Sequence, residues 1–96
     1  MLVLITYDVS TGTKEGRKRL TRVAKKCVAH GQRVQNSVFE CNVDWGQFVT
    51  LKNELINIID PKEDSLRFYN MGNSYKEKVH HVGVKPSIAL EGELII

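Results

Sequence analysis

The chain begins with a β-prone apolar run, Leu2-Val3-Leu4-Ile5-Thr6-Tyr7, that ends on a carboxylate, Asp8, and a polar turn, Val9-Ser10-Thr11-Gly12. Its apolar residues run on without strict alternation, so Leu2 to Val9 predicts a strand buried on both faces, central in a sheet. A carboxylate at the end of such a strand places a charge at the sheet rim, where loops meet solvent and ligands bind. The run is too short for a signal or membrane segment, and Asp8 interrupts it. No other stretch does better, so the expectation is a cytoplasmic protein with no membrane partner.

The second constraint is electrostatic. Lys14, Arg17, Lys18, Arg19, Arg22, Lys25, Lys26 and Arg33 face a single acid, Glu15, between positions 14 and 33. The net charge of the whole chain is only +3, so the positive field is confined to this stretch and favours an anionic partner such as nucleic acid. A carboxylate beside a cationic helix points to a metal-assisted reaction on a polyanion. Gly12 to Lys18 mimics a phosphate loop but lacks the Walker spacing and its Lys-Ser/Thr pair, which argues against nucleotide binding. The aromatic motif of RNA-recognition domains is absent too. His80 and His81 are neighbours on a predicted strand and point to opposite faces, a poor arrangement for one metal ion. Cys27 and Cys41 lack metal-type spacing and read as buried free thiols.

Ninety-six residues suit one domain. A helix is predicted over 14–30, with Leu20, Val23, Ala24, Cys27 and Val28 as its apolar stripe and His30-Gly31 as its stop, Gly31 taking a left-handed cap. Arg33 to Val43 is a second extended segment with a kink or bulge near Asn36-Ser37. Asp44 and Gln47 form a capping box for a second helix, whose core face is Trp45, Phe48, Leu51, Leu55, Ile56, Ile58 and Ile59, ending at Asp60-Pro61. Strands follow at Leu66–Met71 and Val79–Val84, and a last one at Ile88–Ile96. The expected class is an α+β sandwich, two helices on one face of a mostly antiparallel sheet. One sheet face then lacks cover, and dimerisation is the expected remedy.

The strand ending Thr6-Tyr7-Asp8-Val9, the basic helix and the segment Arg33-Val34-Gln35-Asn36-Ser37-Val38-Phe39-Glu40 together resemble the small core protein of CRISPR adaptation, the smaller partner of the CRISPR integrase. The resemblance spans essentially the whole chain. It implies a ferredoxin-like fold over residues 1–96, with 1–84 as core and 85–96 as a C-terminal strand pairing across a homodimer. That fold needs two strands where the chain shows one extended segment, so Arg33–Val43 is expected to break at its kink. Members of such a family include magnesium-dependent nucleases on DNA or RNA and scaffolds for the integrase.

By the same resemblance, Asp8 is the catalytic and metal-binding acid, one from each subunit, with Mg2+ as cofactor and Mn2+ as a substitute. Magnesium keeps several waters and accepts few carboxylates, but one Asp8 alone is a poor site, so the site is expected to belong to the dimer. Arg17, Lys18, Arg19, Arg22 and Arg33 are the expected nucleic-acid contacts, bringing affinity and salt sensitivity without sequence readout. Tyr7 and Phe39 shape the site by packing, and Ser37 hydrogen-bonds a phosphate or a water. The favoured function is a metal-dependent endonuclease on double-stranded DNA in CRISPR spacer acquisition. A non-catalytic dimeric adaptor holding duplex DNA for the integrase, and a single-stranded RNA endonuclease, stand as alternatives.

Overall fold

The computed structural model describes residues 1–83. Its elements run β1 (Leu2–Asp8), α1 (Lys14–Val28), β2 (Gly31–Gln35), β3 (Val38–Asn42), α2 (Trp45–Ile58) and β4 (Ser65–Gly72). The strands form one antiparallel sheet in the order β2-β3-β1-β4. This is the βαββαβ arrangement of a ferredoxin-like sandwich. β1 is central, pairing with β3 on one side and β4 on the other, but it is not buried on both faces as expected: Leu4 and Thr6 are half-buried and Asp8 is exposed.

Both helices cover one sheet face. Val3, Ile5 and Tyr7 of β1 and Phe39 and Cys41 of β3 meet Leu20, Val23, Ala24 and Cys27 of α1 and Leu51, Leu55 and Ile58 of α2 in a single core. Deleting a fully buried side chain such as Leu55 would cost about 2–5 kcal/mol. Cys27 and Cys41 are buried free thiols. A hydrogen bond with Cys41, together with burial, pushes the Cys27 thiol far up.

Several expectations are corrected in detail. α1 ends at Val28 with Ala29 as its right-handed cap, and Gly31 opens β2 instead of capping the helix. Gly31 is required by closeness: a Cβ there would lie 1.9 Å from the Glu40 carbonyl oxygen. Val28 is exposed, one position beyond Cys27, the last stripe residue that reaches the core.

The segment 33–43 does not merely kink but reverses, with Asn36 and Ser37 as a two-residue turn between paired Gln35 and Val38. No non-glycine residue there has a positive φ. The register shift between Arg33 and Gln35 absorbs the twist that such a turn does not supply.

In α2 the Asp44–Gln47 capping box forms as expected. Ile56 is exposed, because it lies about 100° around the helix from Leu55. Trp45 lies in the first turn, tilted against Phe48 with ring centroids 5.6 Å apart, and stays 66% exposed.

No strand forms at 79–83. The chain turns over Tyr75–Lys78, with the Lys78 amide on the Tyr75 carbonyl at 2.9 Å, and Val82 is 94% exposed. The outer edges of β2 and β4 stay open among the described residues, and this segment pairs with neither of them. The expected strand Ile88–Ile96 lies outside the described residues. Among the described residues, no helix is long and apolar enough to cross a membrane.

Candidate functional site

The parity of β1 builds the site. Because Val3, Ile5 and Tyr7 point into the core, Leu4, Thr6 and Asp8 point to the face without helices. β4 obeys the same rule: Leu66 and Phe68 pack against the core, so Ser65 and Arg67 turn outward. The register places Asp8 opposite Ser65, and Thr6 between Arg67 and Val38. The β2–β3 turn then folds over the strand end, where the Tyr7 amide donates to the Ser37 carbonyl at 2.9 Å. These residues line an open depression of about 510 Å³ formed by Thr6, Tyr7, Asp8, Ser37, Val38, Ser65 and Arg67. Asp8 is exposed in it.

Beneath the depression lies a buried polar network. Tyr7 is 1% exposed, and its hydroxyl donates to Asp64 Oδ2. Arg19 clamps the same carboxylate through Nε to Oδ2 at 2.8 Å and Nη2 to Oδ1 at 3.1 Å. The Asp60 amide adds a bond of 3.0 Å to Asp64 Oδ2. The Asp64 side chain is wholly shielded from solvent. Burial pushes its carboxyl up, but the bonds from Arg19, Tyr7 and Asp60 outweigh burial and hold it below the ordinary range. Burial and the Asp64 bond push the Tyr7 hydroxyl up to about 12. The bond to Asp64 also raises the Arg19 guanidinium.

The expected cations therefore separate. Lys18 and Arg22 are exposed on α1 and do not line the depression. Arg17 is exposed and bonds the Thr11 carbonyl at 3.0 Å, beside the loop that follows Asp8. Arg19 is committed to Asp64. Arg33 braces the β2–β3 turn through the Asn36 carbonyl at 2.6 Å and lies 5.6 Å from the Phe39 ring centroid. Phe39 is fully buried on the helix side, outside the depression.

The oxygen donors of the depression, the Asp8 carboxylate with the Thr6, Ser37 and Ser65 hydroxyls, suit a hard cation such as magnesium. They supply one carboxylate per chain. Among the described residues no group of three His, Cys, Asp or Glu could hold a metal, so a magnesium ion here would need donors beyond those of one chain.

Asp64, Ser65 and Arg67 escaped the reading of the sequence. The alternation of Leu66 and Phe68 did mark Ser65 and Arg67 as outward-facing. Nothing local linked them to Asp8 or linked Asp64 to Arg19.

The family model described as CRISPR associated protein Cas2 matches residues 1–79. The chain is 62% identical to the CRISPR-associated endonuclease Cas2 of Halalkalibacterium halodurans, over 99% of each chain. It is 57% identical to the CRISPR-associated endoribonuclease Cas2 of Chlorobaculum tepidum, over the full length of both. The crystal structure of Streptococcus pyogenes Cas2 at pH 6.5 superposes with a TM-score of 0.80 at 57% identity, covering 86% of this chain and 100% of that one.

Proposed function

The chain belongs to the Cas2 family of CRISPR-associated proteins, and on that premise we propose that it is a magnesium-dependent endonuclease of CRISPR spacer acquisition, with double-stranded DNA as its favoured substrate. The observation that carries this reading is the exposed Asp8 at the end of the central strand, in a depression lined by hydroxyls and one guanidinium. In a homodimer, Asp8 of each subunit would hold the ion, and a bound cation would offset the repulsion between the two carboxylates. When bound, magnesium, or manganese in its place, neutralises phosphate charge and activates water for attack.

The chain's own residues position the substrate. Ser37 and Ser65 offer hydroxyl donors to phosphate oxygens, and Tyr7 keeps the strand end fixed from below. The exposed cations of α1 (Lys14, Arg17, Lys18, Arg22 and Lys25) hold flanking backbone phosphates. The CRISPR integrase is the expected protein partner. The Chlorobaculum relative is named an endoribonuclease, which makes single-stranded RNA the second substrate to offer.

The test is a cleavage assay on linear duplex DNA and single-stranded RNA with magnesium, manganese or chelator, comparing the wild-type protein with Asp8→Ala. Metal-dependent duplex cutting that disappears in the variant is the expected result. Cleavage that survives the substitution sinks the Asp8 assignment. Binding without cleavage by either protein leaves the non-catalytic adaptor as the function.

A further inference from the structure

We propose that Arg67 is the cation that holds the substrate phosphate at Asp8. This deepens the nuclease reading and rests on it. Four observations lead to Arg67. Among the described residues it is the only cationic side chain lining the depression that contains Asp8. It is exposed, and among the described residues it makes no salt bridge. Its guanidinium carbon lies 5.9 Å from the centroid of the Tyr69 ring, a neighbour that restrains the long side chain without occupying its hydrogen-bond donors. The ladder places it opposite Thr6, one outward position from the Asp8–Ser65 pair, a diagonal of about 7–8 Å between such neighbours. Arg67 and Asp8 therefore share one face of the sheet, where a single phosphate can meet both the guanidinium and a cation that Asp8 would hold.

The other cations are unsuited to this task. Arg19 is consumed by Asp64 and Arg33 by the Asn36 turn, while Lys18 and Arg22 lie on the helix layer outside the depression. A planar guanidinium also offers paired donors to two phosphate oxygens, which an ammonium does not.

The test compares the wild-type protein, Arg67→Gln and Arg67→Lys, each checked for native circular dichroism, in two assays. The first is duplex DNA binding in chelator across a salt series. The second is magnesium-dependent turnover of the same duplex. Arg67→Gln should lower the salt slope by about one and reduce kcat about a hundredfold. Arg67→Lys should keep the slope but recover turnover only in part. A wild-type slope and turnover in Arg67→Gln overturn the assignment and leave the nuclease reading intact. An inactive wild-type protein sinks the nuclease reading instead. The binding slope then decides for Arg67: a decrease of about one upholds the phosphate interaction, and an unchanged slope overturns it.

Discussion

Arg19 on α1 and Asp64 at the entrance to β4 form a two-pronged ion pair, with Nε to Oδ2 at 2.8 Å and Nη2 to Oδ1 at 3.1 Å. The pair ties the helix layer to the strand that faces Asp8. The Tyr7 hydroxyl shares the same carboxylate, so the residue next to Asp8 is fastened from underneath. Arg19 therefore differs in kind from the exposed cations around it.

Asp64→Ala should be the most damaging single change at this network. It strands the Tyr7 hydroxyl, the Arg19 guanidinium and the Asp60 amide together, at a cost of about 3 kcal/mol. Tyr7→Phe removes one bond and should cost about 1 kcal/mol. Urea midpoints at neutral pH give the order, and equal midpoints for the two variants would refute it.

Stability should fall at both pH extremes through this network. Asp64 titrates lower folded than unfolded. Its contribution is present above its ordinary value of 3.8 and is lost as pH falls through the lowered folded value. Tyr7 titrates higher when folded. Its contribution is fully present below pH 10 and is lost as pH rises toward about 12. Ultraviolet titration of the phenol should show a step near pH 12 that is missing in Tyr7→Phe, and Asp64→Asn should flatten the acid limb of the urea-midpoint profile.

Gly16→Ala should unsettle the loop behind Asp8. A Cβ at Gly16 would lie 1.8 Å from the Ser10 carbonyl oxygen, whereas one at Gly12 meets only the Ser10 hydroxyl, at 3.6 Å. The expected cost is about 2–3 kcal/mol for Gly16→Ala and close to none for Gly12→Ala. Thermal melts read the contrast directly, and a Gly16→Ala protein as stable as wild type would contradict the close approach.

Neutralising the exposed helix cations should weaken nucleic-acid binding in a salt-dependent way. Replacing Lys14, Lys18, Arg22 and Lys25 with Gln should reduce the log–log salt slope by about 0.9 for each phosphate no longer neutralised. Arg19→Gln should leave the slope unchanged while lowering the melting temperature. Fluorescence anisotropy on duplex DNA across a salt series separates the two behaviours.

What could be read from the chain alone was what neighbouring residues decide. The continuous apolar character of Leu2–Tyr7 marked a central strand, and Asp44 with Gln47 marked a helix start, because both signals act within a few positions. The β2–β3 turn was half legible: Asn36-Ser37 announced an interruption, but reversal depends on cross-strand pairing of Gln35 with Val38. Arg19 looks like its neighbours until Asp64, far along the chain, claims its guanidinium. Trp45 keeps the helical spacing of the core face, yet the core does not extend far enough to cover it. Val79–Val82 carries a strand-like composition, and composition does not decide whether a segment docks on an open edge such as that of β4. Arg67 was hidden most completely, since only the register of β4 against β1 brings it beside Asp8.

That register has a consequence during synthesis. Asp8 and the cationic helix leave the ribosome early, whereas Ser65 and Arg67, which finish the same depression, arrive only when β4 does. β4 emerges long after β1 and pairs with it, a closure of high sequence separation that is slow to form. A nascent or truncated chain lacking β4 therefore carries the acid and the positive charge without the finished depression.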